Sequence, residues 1–396
     1  MISVTEALQI IDAANTKTSV KSMRIEKTLG FVLAEDITAP INMPPFRQSA
    51  MDGYAIRWSD DASQVYTVID ESKAGDSKHI VLKANEAARI FTGAKVPDTA
   101  DTVVMQEHVE VLNAEAKIMQ HPKKGANVRP IGEQVTKGEV VLKQGLIITE
   151  AAIGFLTGLG IRKITVYQKP KISILVTGNE LQAAGTVLED GEIYESNAIM
   201  LKMALKRFGF KKVKIFRAKD NLKTTKKHIK KGLKFADVLL ISGGISVGDY
   251  DFVKQALSHL KVKELFYKIN QKPGKPLWFG QKKEQFVFAL PGNPASALTC
   301  FYVYVLPLLN KCSGGTAQLL KSTKVKSSST LKNTTGKTLF LKALVSNNKV
   351  DFLQGQQSSM LHSFATSNAL AIVPEAVETV NKGDAVQCLI LHDYGN

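Results

Sequence analysis

The chain has 396 residues, 44% of them hydrophobic and 22% charged, which is ordinary for a soluble globular protein of roughly two to four domains. Its formal net charge is +16, from 52 basic and 36 acidic residues. The N-terminal segment Met1–Glu6 lacks the basic and apolar regions of a signal peptide, and the longest apolar run, Ala297–Leu309, is short and interrupted for a membrane span. We therefore expect a soluble, cytoplasmic protein that does not contact a membrane.

The cysteines and histidines argue against a disulfide framework and against a structural transition-metal site. The three cysteines lie far apart and have no paired spacing, and the seven histidines form no HxH or HExxH pattern. Buried or idle thiols are the expectation for Cys300, Cys312 and Cys388.

Much of the positive charge is concentrated between Lys202 and Lys234, where fourteen Lys/Arg residues accompany one acid, Asp220. The simplest interpretation is a solvated helix–strand–helix face, and attraction of a phosphorylated anion is the alternative. Nucleic-acid binding would favour exposed aromatic residues for stacking, whereas Phe208, Phe210 and Phe216 are expected to be buried. The pattern favours steering of a small anion over a nucleic-acid groove.

The first part of the chain predicts two helices around a β-rich region. Ser3–Asn15 has helical apolar spacing, and Ser3 with Glu6 fits a capping box. Between Pro44 and Gly145, short β-prone runs alternate with turns, which predicts an all-β insert. A helix over Glu150–Leu159, capped by Thr149, and a strand over Ile164–Tyr167 are then expected.

From Lys171 to about Leu309 strands and helices alternate, which predicts a doubly wound parallel sheet. The first and third predicted strands are nearly continuous apolar runs, as parallel strands covered on both faces are. The predicted strands are Ile172–Thr177, Val213–Arg217, Val238–Ser242, Leu265–Ile269 and Phe286–Leu290. Beyond Ser313–Gly315 the chain is β-like again as far as Leu391.

Three of these strands are followed by unusual loops, Thr177–Glu180, Ser242–Asp249 and Pro291–Pro294. Ligands of open parallel sheets bind beyond the carboxyl ends of the strands, so we expect these loops to converge on one crevice. The Ser242–Asp249 loop combines three glycines with two serines, which suits a phosphate cradle, although such loops can also be tight turns. Pro294 suits the first turn of a helix, whose free N–H groups could face a second anionic group.

Charged residues near these loops extend the same argument. Lys272–Pro276 carries two lysines on a Pro/Gly-rich turn, with Lys268 four residues earlier; a solvated hairpin tip is the alternative. The acids Glu180, Asp249 and Asp251 would repel phosphates unless a hard cation such as Mg²⁺ bridged them.

Two tempting motifs fail in their context. Gly244–Gly248 matches the GxSxG pattern of serine hydrolases, but no HGGG-type oxyanion loop precedes it. Gly336–Thr338 resembles the end of a P-loop, but Leu331 stands where the first glycine is required.

The chain resembles the MoeA family in the three loops, in the charged residues near them and in the opening of the β-insert, Pro44–Ala55. This family comprises the molybdopterin molybdenumtransferases and is related to the E domains of proteins such as gephyrin. The resemblance covers nearly the whole chain. Its marks are Ser49–Ala55, Phe91–Ala94, Asn127–Arg129 with Gly132-Glu133, Thr177–Leu181, Ser242–Asp251, Lys272–Pro276 and Pro291–Ala297.

The resemblance implies an α/β multidomain architecture. Its parts would be an elongated α+β N-terminal and dimerisation domain (1–45 with 146–170), an all-β insert (46–145), a MogA-like α/β domain (171–315) and a C-terminal small β-barrel (316–396). Family members resemble elongated homodimers in which the β-insert of one chain faces the α/β domain of the other.

The resemblance also implies an activity. The family converts adenylylated molybdopterin and molybdate into molybdenum cofactor and AMP with Mg²⁺, downstream of a MogA-like adenylyltransferase. By motif, the residues carried over as catalytic are Asp52, which would act across the dimer, Glu180, Asp220, Asp251, Lys272 and Lys275. Those carried over for pterin or molybdate binding are Thr92, Ser242, Gly243, Gly244, Ser246, Gly248, Lys268, Pro291, Gly292, Asn293 and Pro294. Glu180, Asp249 and Asp251 would hold the metal, which polarises the pyrophosphate for attack by water.

One departure and two alternatives accompany this interpretation. Gln134 stands where the family often has Asp, and an amide supplies neither a base nor a charge. A pterin carrier or scaffold without turnover, and a MogA-like adenylyltransferase, are the other functions considered. The retained acids Asp52, Glu180 and Asp251 favour the transferase over the carrier, and the Asp52 segment argues against the adenylyltransferase.

Overall fold

The computed structural model describes residues 1–16, 18–61, 65–245, 252–315 and 319–392. The chain divides into two compact units: 1–21, 30–32 and 166–396 form the first, and 22–29 and 33–165 the second. The four-domain division inferred from the resemblance stays a prediction. Ser246, Gly248, Asp249 and Asp251 lie outside the described residues.

The first unit contains a six-stranded sheet. Its strands are β1 (Ile172–Thr177), β2 (Val213–Ala218), β3 (Val238–Ser242), β4 (Lys263–Tyr267), β5 (Trp278–Lys282) and β6 (Gln285–Leu290), in the order β2-β1-β3-β6-β5-β4. Strands β2, β1, β3 and β6 are parallel neighbours, whereas β5 runs antiparallel to β6 and β4. The doubly wound α/β fold is therefore confirmed, but the sheet is mixed. The short, Gly-containing strand β5 was not predicted. Because β5 is antiparallel to both of its neighbours, β4 runs in the same direction as the parallel strands.

Helices cover both faces of this sheet, because side chains alternate between the faces of each strand. They are α1 (Asn197–Arg207), α2 (Leu222–Phe235), α3 (Phe252–His259), α4 (Pro294–Cys300) and, after a π-helical turn over Phe301–Val305, α5 (Leu306–Cys312). Ile174 of β1 shares a core with α1, α4 and α5, and the neighbouring Leu175 shares the opposite core with α2 and α3.

The segment Pro294–Cys312 is a 19-residue helix, long and apolar enough by itself to cross a membrane. The apolar run Ala297–Leu309 is therefore part of a longer helix than its own length indicated. Its burial is what marks it as a core helix, because 89% of its apolar window lies inside the protein. No other helix among the described ranges meets that length and hydropathy.

The three cysteines are free and buried, as expected. Burial raises the pKa of the Cys300 and Cys312 thiols to about 12 and that of Cys388 to about 11, so these sulfurs stay protonated at neutral pH.

The N-terminal helix Val4–Ala13 packs in this first unit, with Ala7 and Ile11 buried in the core that contains Ile174. The predicted capping box is confirmed: the Ser3 hydroxyl accepts from the Glu6 N–H, and the Glu6 carboxylate accepts from the Ser3 N–H.

The C-terminal part forms a small closed barrel, as predicted. Five strands close on one another in the order Thr338–Ser346, Lys349–Phe352, Ser322–Ser327, Ala385–Ile390 and Ala369–Val373. The strand Gln271–Lys272 extends this sheet beside Thr338, the strands Leu331–Lys332 and Thr379–Val380 pair separately, and a short helix spans His362–Ala365.

The second unit is built on another six-stranded sheet, in agreement with the all-β insert. Its order is Thr102–Met105, Gly53–Ile56, Glu86–Ile90, Val65–Ser72, Glu115–Ile118 and Val109–Leu112. Two short strand pairs accompany this sheet: Gln48–Ser49 pairs with Val128–Arg129, and Ile37–Thr38 pairs with Val140–Leu142. A 3₁₀ turn covers Gln106–His108. The helix Glu150–Gly158 is capped by Thr149, as predicted. Among the described residues, the remaining elements are the strands Val20–Arg24, Lys163–Tyr167, Leu181–Gln182 and Ile193–Tyr194 and the 3₁₀ turn Ile25–Lys27.

Candidate functional site

The carboxyl ends of β1, β3 and β6 lie side by side, so the loops after these strands meet at one edge of the sheet. The Gly243 N–H donates to the Leu290 carbonyl at 3.4 Å, which joins the ends of β3 and β6. A side chain added at Gly292 would lie 3.7 Å from the Cα of Gly243. The predicted convergence of the loops is confirmed for their described residues.

Close packing explains the two described glycines of the Ser242 loop. Gly243 and Gly244 have φ values of 93° and 64°, in the region that favours glycine. A Cβ at Gly243 would lie 2.7 Å from the Thr177 carbonyl oxygen, and one at Gly244 would lie 2.8 Å from a Val253 methyl group. The backbone of this loop therefore approaches the end of β1 more closely than any side chain would allow.

Asn197, which the sequence analysis missed, links two of the converging loops from the first residue of α1. Its side-chain Nδ2 donates to the buried Ser242 hydroxyl at 2.8 Å and to the Gly292 carbonyl at 2.7 Å. Its Oδ1 is buried and has no hydrogen-bond partner among the described residues. The sequence signal that could have revealed it is an Asn beginning a helix that starts at the ligand-binding edge of the sheet.

The acids Glu180 and Asp220 come together at the same edge, after β1 and β2. The Asp220 N–H donates to the Asn179 side chain at 3.1 Å, which ties the two loops together. Burial raises the pKa of Asp220 above its usual value, and the charge of Glu180 raises it further, while Thr177 and Asn179 act in the opposite direction. Two carboxylates that repel each other at a ligand-binding edge can share a cation.

The predicted lysines lie in the connection that follows β4. This strand runs in the same direction as the parallel strands, so its carboxyl end lies at the edge of the sheet where the loops meet. Lys268 is the first residue after that end. The Lys268 ammonium lies 4.9 Å from the centroid of the Tyr267 ring, and the Tyr267 hydroxyl donates to the Ile245 carbonyl at 3.4 Å. Lys272 and Lys275 are exposed and can meet an anion from solvent.

The start of α4 differs from the expectation of free N–H groups. Pro294 is the first helical residue, as predicted, but the Ala295 N–H donates to the Ser358 carbonyl at 3.1 Å. The Asn293 side chain donates to the Ser358 hydroxyl at 2.7 Å. A loop of the C-terminal barrel thus satisfies part of the helix end that was expected to face an anion.

Lys342 holds that barrel loop from inside. The lysine is 2% exposed, and its ammonium donates to the carbonyls of Gln357 and Met360 at 3.3 and 3.0 Å and also to that of Gly355. Burial lowers its pKa. Ser358 and Lys342 lie 64 and 48 residues beyond Pro294, and no local pattern in the sequence pointed to them.

In the second unit, Asp52 and Thr92 form a compact pair. One carboxylate oxygen of Asp52 accepts from both the N–H and the hydroxyl of Thr92, each at 2.7 Å. These two hydrogen bonds, with a smaller contribution from the charge of Arg89, lower the pKa of Asp52. The carboxylate is therefore ionised at neutral pH.

The described residues contain no group of three or more His, Cys, Asp or Glu side chains arranged to hold a metal ion. Two of the three predicted metal ligands, Asp249 and Asp251, lie outside those residues. Gln134, the departure from the family pattern, is exposed, and its N–H donates to the Met43 carbonyl at 2.9 Å.

Family models match the chain in three consecutive regions. Residues 2–160 match the MoeA N-terminal region (domains I and II), residues 173–311 match a probable molybdopterin binding domain, and residues 324–391 match the MoeA C-terminal region (domain IV). A molybdopterin molybdenumtransferase of Haemophilus influenzae is 36% identical over 380 residues, which cover 93% of each chain. The chain belongs to the MoeA family.

Other members agree with this membership. A protein of the same name from Staphylococcus epidermidis is 34% identical over 81% of this chain and 79% of its own. A solved structure of a molybdopterin biosynthesis MoeA protein from Pyrococcus horikoshii superposes with a TM-score of 0.86 at 30% identity, covering 99% of both chains.

The MoeA regions also group the residues described above. Asp52 and Thr92 lie in the N-terminal MoeA region, and the three converging loops lie in the probable molybdopterin binding domain. Lys342 and Ser358 belong to the C-terminal MoeA region. The hydrogen bonds from Asn293 and Ala295 therefore connect the C-terminal region directly to the start of α4.

Proposed function

We propose that this protein is a molybdopterin molybdenumtransferase, which inserts molybdate into adenylylated molybdopterin and releases AMP. The observation that carries this proposal is the convergence of Thr177–Glu180, Ser242–Gly244 and Pro291–Pro294 at one sheet edge, in a region that matches a probable molybdopterin binding domain. The MoeA relatives that cover most of the chain carry the same enzyme name.

The anionic groups of the substrate meet donors and cations at this edge. Lys268, Lys272 and Lys275 offset the charge of the pyrophosphate and of molybdate, itself a dianion. The backbone of Ser242–Gly244 and the Pro291–Pro294 loop line the pterin site. Ser246 and Gly248, which the resemblance assigns to the same site, lie outside the described residues. The unpaired Oδ1 of Asn197 fits a hydrogen-bond donor of the bound molecule.

The acids of this edge fit a hard divalent cation such as Mg²⁺. Carboxylate oxygens are its preferred ligands, and a cation would favour the ionised form of Asp220, whose pKa is raised by burial and by the charge of Glu180. Glu180, with Asp249 and Asp251 beyond the described residues, would hold it. When bound, the ion would polarise the phosphate that is cleaved.

A homodimer completes this proposal. Asp52 would act on the α/β domain of a second copy, as the resemblance implies, with Thr92 bonded to it. Exposed apolar side chains on the α/β unit support self-association: Ile199 and Met203 occupy one face of α1 and are 52% and 45% exposed, and Ile193 and Tyr194 just before it are 54% and 46% exposed. We place the enzyme in the cytoplasm, supplied with substrate by a MogA-like adenylyltransferase.

AMP release from adenylylated molybdopterin, measured with and without molybdate and Mg²⁺ and alongside formation of active cofactor, tests the function. We expect release that depends on both. Tight pterin binding without AMP release would indicate a carrier or scaffold, and adenylylation of bare pterin by ATP would indicate a MogA-like enzyme.

A further inference from the structure

Arg89 is a half-buried cation that the proposed function leaves without a role. It lies in the strand Glu86–Ile90, directly across from Tyr54 of the strand that follows Asp52. Its guanidinium carbon is 5.0 Å from the centroid of the Tyr54 ring and 4.9 Å from that of Phe91. The two rings restrict the plane of the guanidinium, as cation–π contacts with Arg do.

The guanidinium also bonds to the segment that carries Asp52. One nitrogen donates to the Gly53 carbonyl at 3.0 Å, and another donates to the Gln106 side-chain oxygen at 2.5 Å. The Gln106 N–H in turn donates to the Asp52 carbonyl at 3.0 Å. Arg89 and Gln106 therefore hold the backbone of Asp52 and Gly53 from both sides, while Thr92 holds the carboxylate.

We propose that Arg89 is a positioning residue for Asp52: it fixes the Asp52–Gly53 backbone and supplies a constant positive charge beside the Asp52 carboxylate. This inference rests on the proposed function, in which Asp52 takes part in the reaction. Lysine cannot replace it fully, since a single ammonium cannot reproduce the planar, two-armed contact with Gly53 and Gln106.

The electrostatic part of the proposal can be measured without any activity. Besides Arg89, the charged or titratable side chains on the elements around Asp52 are Glu86 on the strand of Arg89, Asp70 and Glu71 on the neighbouring strand, and Glu107 and His108 in the turn after Met105. The two Thr92 hydrogen bonds contribute most to the lowered pKa of Asp52, and the charge of Arg89 adds a smaller part. Arg89→Met should therefore raise the Asp52 pKa, and Arg89→Lys should leave it lower than in Arg89→Met. The Asp52 pKa of each full-length variant can be measured by NMR titration of ¹³C-labelled aspartate carboxyl groups. The Asp52 signal is assigned as the one that Asp52→Asn removes. An Asp52 pKa that is the same in Arg89→Met and the unsubstituted protein would overturn the proposal even if the enzyme assignment failed.

The positioning part requires a double-mutant cycle on AMP release. We expect Arg89→Met to lower kcat roughly 10- to 100-fold, with a smaller loss for Arg89→Lys, because displacement of a reacting group by about 1 Å has effects of this size. The acid limb of the pH profile should move to higher pH in Arg89→Met. Since Arg89 acts through Asp52, adding Arg89→Met to Asp52→Asn should cost little more than Asp52→Asn alone.

The controls separate the possible failures. Arg57→Met, at an exposed arginine just after the strand Gly53–Ile56, should leave both the titration and kcat unchanged. Additive losses in the double variant would contradict a role through Asp52. Full activity of Asp52→Asn would instead refute the role proposed for Asp52. Circular dichroism of each variant checks that the fold is retained, and Arg89→Lys keeps the test interpretable should Arg89→Met fail to fold.

Discussion

Glu180 and Asp220 show how a ligand-binding edge can cost stability in the absence of its ligand. The pKa of Asp220 is raised, first by burial and then by the charge of Glu180. An acid whose pKa is higher in the folded than in the unfolded protein weakens the fold as pH rises and the group ionises. At neutral pH, the two negative charges therefore oppose folding until a cation binds.

Replacing Glu180 by Gln should separate stability from activity. Without Mg²⁺ at pH 7, we expect Glu180→Gln to raise Tm on the order of 1–2 °C, a small gain because solvent screens this partly exposed pair. The gain should shrink at low pH, because the raised pKa of Asp220 favours protonation of that carboxyl group and removes the repulsion. AMP release should fall about 10-fold or more, and stabilisation by added Mg²⁺ should shrink. Scanning fluorimetry and the AMP assay measure both effects.

The exposed Glu189→Gln, in the loop that follows, is the matched control and should alter neither quantity. A lower Tm in Glu180→Gln would show that Glu180 stabilises the fold, and the repulsion argued here would then be wrong.

Secondary-structure elements were predicted where one local signal dominated. The capped helix Val4–Ala13 and the apolar strands β1 and β3 follow from periodicity, capping and burial on both faces. Strand β5 was missed because Gly280 and polar Gln281 and Lys282 weaken its pattern, and its place is set by pairing with β6. A helix or strand can thus be predicted from its own residues only when its conformation does not depend on pairing with neighbouring elements.

The candidate site followed the same division. Loops after parallel strands were predictable, since the edge at which they meet is a property of the sheet. Asn197, Arg89 and Ser358 were not, because each acts through a hydrogen bond to a residue far away in the sequence: 45 residues for Asn197 and Ser242, 36 for Arg89 and Gly53, and 65 for Ser358 and Asn293.

Gly53 is an element-scale requirement of the strand that follows Asp52. A Cβ at this position would lie 1.9 Å from the Val104 carbonyl oxygen of the paired strand, and that backbone cannot yield as a flexible side chain would. We expect Gly53→Ala to destabilise the second unit by about 3 kcal/mol, a loss of roughly 6–12 °C in Tm by thermal denaturation.

Gly154→Ala provides the comparison within the same unit. Gly154 lies in the helix Glu150–Gly158, and nothing lies within 4 Å of an added Cβ, so this substitution should raise stability by roughly 0.5–1 kcal/mol. Equal effects of the two substitutions would show that the contact with Val104 does not limit Gly53.

At the scale of the whole molecule, the positive charge has a defined location. Helix α2 buries Thr225, Ile229 and Leu233 and turns its lysines to solvent, and the edge strand β2 exposes Lys214 and Arg217. The exposure agrees with a solvated face. The positive sign of this face nevertheless matters to an enzyme with anionic substrates. A positive electrostatic field raises the rate at which an anionic substrate encounters the protein, even where the charged residues do not contact the bound substrate.

Steering by this face predicts a particular kinetic pattern. Neutralising Lys226, Lys227 and Lys230 on α2 together, each to Gln, should lower kcat/KM for adenylylated molybdopterin on the order of a few-fold at low salt and leave kcat unchanged. The difference should fade above about 0.1 M salt, where the Debye length is near 10 Å. The matched control neutralises three exposed lysines of the C-terminal barrel, Lys324, Lys326 and Lys349. Steering by α2 requires a smaller decrease in kcat/KM for the barrel variant than for the α2 variant. Equal decreases would mean that only the net charge of the protein matters. If neither variant lowers kcat/KM, the basic face has no role beyond solvation.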